Sequence, residues 1–427
     1  MCYCERLHGF EVGCGRLDSG IYVVTHRWLR IIFGYVALLL ALTCQVHSAK
    51  AARPPLFSFF QPVTVVSNGE TLCNAVAFSQ IQSAPDFFLG RIRANNPSRC
   101  ESALLLEPGL AGKGAQAALG VAPWTLGVFR MDWRKYRLEF VREAIDLPVR
   151  IGPNTTLINA YDPHTVTFGN ETWVTFECYG KGVPIWSTCV APLSGASGRV
   201  DVARLTVPVR SVVVAGAPRW YSASDPKLFS FGGSLYLYWT VVEITASSQR
   251  LDRTSARGMR LDQEAGGLRR LWGAGSMGAS VSSLDPALTT EVLAPDPGDR
   301  SANTTVDIFD VRRWGDRTIV LAAVGGAGRR AGQARCATPL SANEGCYRLG
   351  FFEARRPLSR GGICRIYSGA IVPRNPVQYS RFVMRPDGTP AILADYIGPV
   401  IRNPGSYYLS AGFFMSGIHI VNLPRCK

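Results

Sequence analysis

Three aspartates open stretches of one pattern. Asp162 begins DPHTVTFGNETWVTFEC, Asp225 begins DPKLFSFGGSLYLYWT and Asp307 begins DIFDVRRWGDRTIVLAA, with a turn residue eight positions on in each: Asn170, Gly233 and Gly315. A weaker fourth copy, SRFVMRPDGTPAILAD, sets Gly388 at that distance from Ser380. Carboxylates at a recurring position can meet around a common axis. Two such groups can serve as proton donor and as base or nucleophile, and a third can hold orientation and shift the donor's pKa. A single Asp-Pro more often caps a turn through backbone hydrogen bonds. Three acids at one repeat position favour shared chemistry.

The element that must carry these acids is a β-hairpin. In Asp225–Thr240, Leu228, Phe229 and Phe231 lead to Gly232-Gly233, a pair suited to positive φ in a two-residue turn. Leu235, Tyr236, Leu237, Tyr238 and Trp239 are strand formers and make the return. The copies start 63, 82 and 73 residues apart. A hairpin recurring over variable connections marks a repeat architecture, and four-stranded propeller blades fit it best. Inner strands of blades begin near the axis, so an acid at the start of each would face one cavity. Composition agrees with an all-β chain: 47% hydrophobic and 18% charged residues describe a folded protein, and 43 glycines with 27 prolines supply many turns. Residues Val141 to Ala144 could begin a short helix, which Pro148 would end.

The first 50 residues differ. Arg27 and Arg30 precede Ile31–Cys44, a run of 14 residues without charge. It is short for a membrane span and suits a signal peptide, with Val46 and Ser48 placed for cleavage before Ala49. The long segment ahead of it leaves an uncleaved anchor as the alternative. Of 12 cysteines, Cys2, Cys4, Cys14 and Cys44 fall in this leader. The other eight suggest Cys73–Cys100, Cys178–Cys189, Cys336–Cys346 and Cys364–Cys426, among about 105 connectivities. Asn154, Asn170 and Asn303 stand in glycosylation sequons. All three features point to the secretory pathway, secreted or in the Golgi lumen. Net charge is +15; removing the leader's five basic and three acidic residues from 46 and 31 leaves +13. In a secretory protein that surplus suits anionic polysaccharide or acidic lipid before nucleic acid, and it also serves solubility.

Residues 51–427 read as one propeller domain. LFSFFQPVTVV, AVAFSQI and APDFFLGRIRA are expected strands, and residues 125 to 141 the outer hairpin of a first blade. Gly109 to Gly120 lacks the ending of a phosphate loop, and Gly273-x-Gly275-x-x-Gly278 has neither the strand nor the helix that a dinucleotide site needs. Residues 247–300 are expected as a long loop. GSYYLSAGFFMSGIHIVNLP reads as two short strands, and residues 56 to 66 as their partner in closing the ring.

Few other groups could do chemistry. Outside the leader only His164 and His419 remain. His419 lies in an apolar strand; His164, just past Asp162-Pro163, is the better binding candidate. No cofactor is expected, and with no CxxC among the eight cysteines and so few histidines no metal either. YDPHTVTFGNETWVTFE and SDPKLFSFGGSLYLYWT resemble the blade openings of five-bladed propeller glycosidases, the arabinanase, β-xylosidase, invertase and levansucrase group. The resemblance covers roughly residues 120 to 400. It implies a five-bladed propeller, with six blades the rival count. It also implies a base at Asp162, a pKa-tuning acid at Asp225 and a glutamate donor at the third position. There this chain departs: it has Asp307, followed by Ile308. Glu243 and Glu177 are the fallback donors. Trp220, Tyr221 and Trp239 could stack on sugar rings, although strand aromatics are more often core. Two functions follow as expectations: a glycosidase-like protein acting on or binding a secreted or cell-wall polysaccharide, or a non-catalytic propeller binding carbohydrate or a partner. A membrane enters only if the leader is an uncleaved anchor.

Overall fold

A computed structural model describes residues 56–72, 75–93, 124–194, 198–213, 219–245, 251–261, 281–294, 304–326, 348–368, 377–397 and 410–426. The expected leader, Cys73, Cys100, Cys336, Cys346 and Asn303 lie outside these residues.

Strand β1 (Phe57–Ser67) pairs with the short strand Glu70–Thr71 and otherwise joins strands far from it in sequence. Blade one follows: β2 (Val76–Gln80), β3 (Phe87–Arg93), β4 (Trp124–Asp132) and β5 (Arg137–Glu143). Blade two is β6 (Thr155–Phe168), β7 (Glu171–Lys181), β8 (Val183–Ser194) and β9 (Thr206–Arg210). Blade three is β10 (Ser224–Phe231), β11 (Ser234–Thr245), β12 (Leu251–Arg260) and β13 (Thr290–Leu293). Blade four is β14 (Thr304–Trp314), β15 (Arg317–Gly326), β16 (Arg348–Ala354) and β17 (Ile363–Ser368). Blade five is β18 (Val377–Met384), β19 (Pro390–Ile397) and β20 (Ser410–Ile418), completed by β1 antiparallel to β20. Within each blade every strand pairs antiparallel with the next. The innermost strands touch in a cycle: β2 meets β6, β6 meets β10, β10 meets β14, β14 meets β18, and β18 meets β2. The fold is a five-bladed β-propeller, closed by the expected N-terminal strand.

Hairpin geometry explains why these residues fold so. Phe168 faces Glu171, Phe231 faces Ser234 and Trp314 faces Arg317, each across a two-residue loop. Such loops need positive φ, and Gly232 and Gly233 supply it at 57° and 79°. Apolar faces of neighbouring blades then pack together. Leu228, Leu237 and Trp239 of blade three meet Val166, Trp173 and Val190 of blade two. Phe229 and Tyr238 meet Val306, Ile308 and Phe352 of blade four. Each fully buried large side chain contributes about 1.5–3 kcal/mol. Trp239 is wholly buried in this packing, so it is core and cannot stack on a ligand.

Several local expectations change. Within residues 247–300, Leu251–Arg260 and Thr290–Leu293 are the two outer strands of blade three. Their Gly, Arg and Ser content hid them, because β12 pairs through its backbone along most of β11. Residues 141–143 end strand β5 instead of starting a helix. Among the described residues of the C-terminal stretch, which begin at Ser410, one strand forms, β20. Cys178–Cys189 links β7 to β8, and Cys364–Cys426 ties the tail to β17. The tail is therefore held to blade four. Arg317 reinforces it by donating to the carbonyls of Leu423 and Pro424.

Candidate functional site at the propeller axis

Each inner strand breaks its ladder, and β6 does so a second time between Leu157 and Asn159. The other breaks fall between Val76 and Ser79, Tyr161 and His164, Ser224 and Lys227, Ile308 and Asp310, and Gln378 and Arg381. Four of them hold a non-glycine residue at positive φ: Ala77 at 56°, Asp162 at 44°, Asp225 at 48° and Tyr379 at 47°. That backbone costs roughly 1–2 kcal/mol per residue, and aspartate tolerates it better than most. A bulge leaves a residue out of the ladder. Pro163 and Pro226, which have no N–H to give, sit in that gap. The two Asp-Pro pairs are thus built into bulges that re-aim the acids.

The register corrects the position of Asp307. Gly315-Asp316 fill the loop that Gly232-Gly233 fill in blade three. Ile308 therefore holds the place of Asp162 and Asp225, and Asp307 corresponds to Tyr161 and Ser224. Asp307 still reaches the axis: Thr240 Oγ1 donates to its Oδ1 at 3.0 Å.

The acids gather tightly. One oxygen from each of Asp162, Glu177 and Asp225 lies within 4.8 Å of the others. Glu177 stands on β7 opposite Tyr161, and its Oε1 accepts the Asp225 N–H at 2.7 Å. Cations lie against its two companions. Arg91, from β3, sets Nη1 3.4 Å from Asp162 Oδ1. Its guanidinium lies over the Trp124 ring at 4.6 Å and the Tyr379 ring at 5.4 Å. Lys227 Nζ donates to the Asp225 carbonyl at 2.6 Å and lies 3.7 Å from Oδ1. The three acid oxygens are close enough to share a metal ion, but Arg91 and Lys227 already supply counter-charge to two of them. Arg381 is wholly buried, and its charge acts on Asp162, Asp307 and Lys227. Its Nε and Nη2 have no hydrogen-bond partner among the described residues, nor do Asp162 Oδ1 and Asp225 Oδ1.

Burial sets the protonation. It pushes Asp162 up to about 6, against the opposing pull of Arg91. It pushes Glu177 well above the usual carboxylate range, helped by the charges of Asp225 and Asp162. Asp307 rises to about 7 through burial and then the charge of Asp225. Lys227 falls to about 8 through burial and the neighbouring Arg381. A raised carboxyl stabilises the fold fully below its unfolded value of 3.8 and loses that contribution as pH rises through about 7. Asp307→Asn, which keeps an acceptor for Thr240, should therefore stabilise the protein by roughly 1–3 kcal/mol at pH 8. At pH 4 the gain should be close to nil. Urea midpoints at the two pH values check this; an equal gain at both would contradict it.

His164 is not free for a ligand. Leu228 N–H donates to its Nδ1 at 3.2 Å, so Nε2 carries the proton that meets Asp310 Oδ1 at 2.7 Å. Asp310 Oδ2 accepts the Phe382 N–H at 2.6 Å. Burial holds the histidine below its ordinary pKa, in its neutral form. Gln80 closes the loop, exchanging two 2.7 Å bonds with the Met384 backbone, and Ser79 Oγ accepts the Thr165 N–H. This belt joins all five inner strands, and His164 belongs to it.

The remaining candidates stay apart. Glu243 pairs with Tyr221 across β11, and Tyr221 Oη donates to its Oε1 at 3.4 Å. It lies about 10 Å beyond Thr240 along the strand and on the other face, so it does not join the acids. Trp220 is in the short strand Arg219–Tyr221 beside it. Arg91, Lys227, Asp310 and Arg381 carried no signal in the repeat pattern, which tracked acids at strand starts.

Neither a family model nor a curated protein matches this chain. Among solved structures it is similar to a family 117 glycoside hydrolase produced by the marine bacterium Zobellia galactanivorans, at 11% identity and TM-score 0.47, over 85% of this chain and 90% of that one. It is also similar to an α-L-arabinofuranosidase from Lactobacillus brevis, at 8% identity and TM-score 0.45, over 82% and 92%. A native arabinanase of Bacillus subtilis matches at 11% identity and TM-score 0.42, over 82% and 94%. The likeness is one of fold.

Proposed function

We propose that this protein is glycosidase-like and acts on or binds a polysaccharide through its axial carboxylates. The observation that carries this is the set of unfilled groups in one buried cluster. Among the described residues Asp162 Oδ1 and Asp225 Oδ1, although each has a cation nearby, accept no hydrogen bond, and Arg381 Nε and Nη2 donate none. Unfilled buried polar groups cost about 1–3 kcal/mol each. A polyhydroxylated guest satisfies both kinds, since each hydroxyl donates and accepts. Asp162 is the group that meets the anomeric carbon, Asp225 adjusts its neighbours, and a third acid gives the proton. One oxygen from each of the three acids lies within 4.8 Å of the others. Retaining enzymes hold their carboxyls about 5–5.5 Å apart, and inverting enzymes about 6.5–9.5 Å, which leaves room for an attacking water. The expected course is retention. The test is an arabinan, xylan and fructan panel with wild type and Asp162→Asn; cleavage by neither, or by both equally, overturns the role of Asp162.

A non-catalytic binding propeller is favoured by one observation: Asp162 is only 3% exposed, with Arg91 beside it. That reading expects glycan-array binding without turnover. If the basic surplus recognises an anionic polysaccharide, binding should weaken with salt.

We place the protein in the secretory pathway, supported by the two cysteine pairs. Asn170 is exposed in the β6–β7 turn and Asn154 is exposed in the turn before β6. Enzymatic removal of N-glycans should shift the secreted protein's gel mobility, less so in Asn170→Gln. An unshifted, reduced protein would contradict this, and N-terminal sequencing separates cleavage from anchoring.

A further inference from the structure

The geometry points to Glu177 as the proton donor of the axial site; we propose that it holds the proton of the carboxyl triad and delivers it to the glycosidic oxygen. This rests on the glycosidase-like function above and names its third acid. Three carboxyls with oxygens within 4.8 Å of one another, nearly removed from water, cannot all be ionised. Counter-charges decide where the proton stays. Asp162 has Arg91 at 3.4 Å, and Asp225 has Lys227 at 3.7 Å. Glu177 is 4% exposed and its partner is a backbone N–H, that of Asp225. One neutral donor, Asp225 N–H, is a weaker reason to ionise than a guanidinium or an ammonium. Burial and the two neighbouring acids act in the same direction.

Position favours the same residue. Glu177 is the β7 member of a ring of equivalent second-strand positions, with Thr240 on β11 and Arg91 on β3. Arg91, Glu177 and Thr240 contact Asp162, Asp225 and Asp307 respectively. Asp307 is not one of the three acids whose oxygens gather within 4.8 Å, and its Oδ1 accepts from Thr240. In the step, Glu177 O–H passes its proton to the glycosidic oxygen as the bond from that oxygen to the anomeric carbon breaks. The leaving sugar departs as an alcohol, and the Asp162 carboxylate bonds to the anomeric carbon. Water then attacks that carbon, gives a proton to the Glu177 carboxylate and releases Asp162.

The experiment compares wild type with Glu177→Gln on a polysaccharide and on a dinitrophenyl glycoside, whose leaving group needs no proton. Cleavage of the polysaccharide should fall about 10²–10⁴-fold, cleavage of the activated glycoside far less, and the alkaline limb of kcat/KM should vanish. Equal losses on both substrates, or a surviving alkaline limb, would overturn the donor role while leaving the glycosidase reading intact. Infrared difference spectra at pH 7 give an independent readout. Asp307, raised to about 7, contributes a protonated-carboxyl band of its own, so both proteins are compared in an Asp307→Asn background: a band lost with Glu177→Gln supports the assignment of the proton, and an unchanged band refutes it. If wild type cleaves nothing, the proposed function and this donor fall together.

Discussion

Asp162→Asn is expected to lower kcat on any cleaved glycan by about 10³–10⁴-fold, with circular dichroism and cooperative unfolding unchanged. Asparagine keeps the planar shape and the tolerance for the 44° φ of the bulge, so the backbone has no reason to move. It removes the negative charge that must meet a developing positive centre. Losing one charged carboxylate from a catalytic constellation has effects of about this size. The group must be ionised to act, and burial has raised it to about 6. Wild-type kcat/KM should therefore climb as pH rises through about 6. Arg91 opposes that rise in pKa and so keeps the group usable near neutrality. Turnover by the variant equal to wild type, across the range of pH, would remove Asp162 from the chemistry.

The parts of this site that sequence reveals are those written as local pattern. Gly232-Gly233 between apolar runs can only be a tight turn, and the Asp-Pro starts mark positions that recur by strand register. What escaped is decided by register and by contacts between blades. Asp307 matches its companions in its distance to a turn residue, yet the loop Gly315-Asp316 begins eight residues after it, where the loops of blades two and three begin seven residues after their aspartates. One residue in a strand moves a side chain to the other face, so the sequence offset alone does not say that Asp307 meets Thr240. Glu177 looked like one acid in a strand. Its meaning depends on facing Tyr161 beside the bulge that holds Asp162. Lys227 and Arg381 are opaque for a different reason. Cations in strands are usually solvated, and nothing local says that five inner strands will enclose these two. The outer strands β12 and β13 were hidden because outermost strands need little apolar character.

Asp310→Ala should destabilise the protein by about 3–5 kcal/mol, the range for removing one partner of a buried charged network. The carboxylate receives His164 Nε2–H and the Val311 N–H on Oδ1, both at 2.7 Å, and the Phe382 N–H on Oδ2 at 2.6 Å. Alanine leaves all three donors buried, at about 1–3 kcal/mol for each that finds no water. It also cuts the belt between blades two, four and five, where closing the ring depends on strands distant in sequence. Burial pushes Asp310 upward, but His164, through its proximity and its hydrogen bond, brings it below the ordinary carboxylate value. A depressed carboxyl contributes stability above its unfolded pKa of 3.8, and that contribution is lost as pH falls through the folded value. The gap between wild type and Asp310→Ala should therefore be full at pH 7 and narrow toward pH 2. His164, held neutral, pulls in the same direction, because the unfolded chain takes up its proton below about 6.5. Asp310→Asn separates charge from shape: its carbonyl can still receive the imidazole proton, but its amide meets the Phe382 N–H donor to donor. It should recover only part of the loss. Urea denaturation at pH 7 and pH 3 measures all three proteins. An Asp310→Ala midpoint equal to wild type at pH 7 would mean that the belt is not what holds the inner strands together.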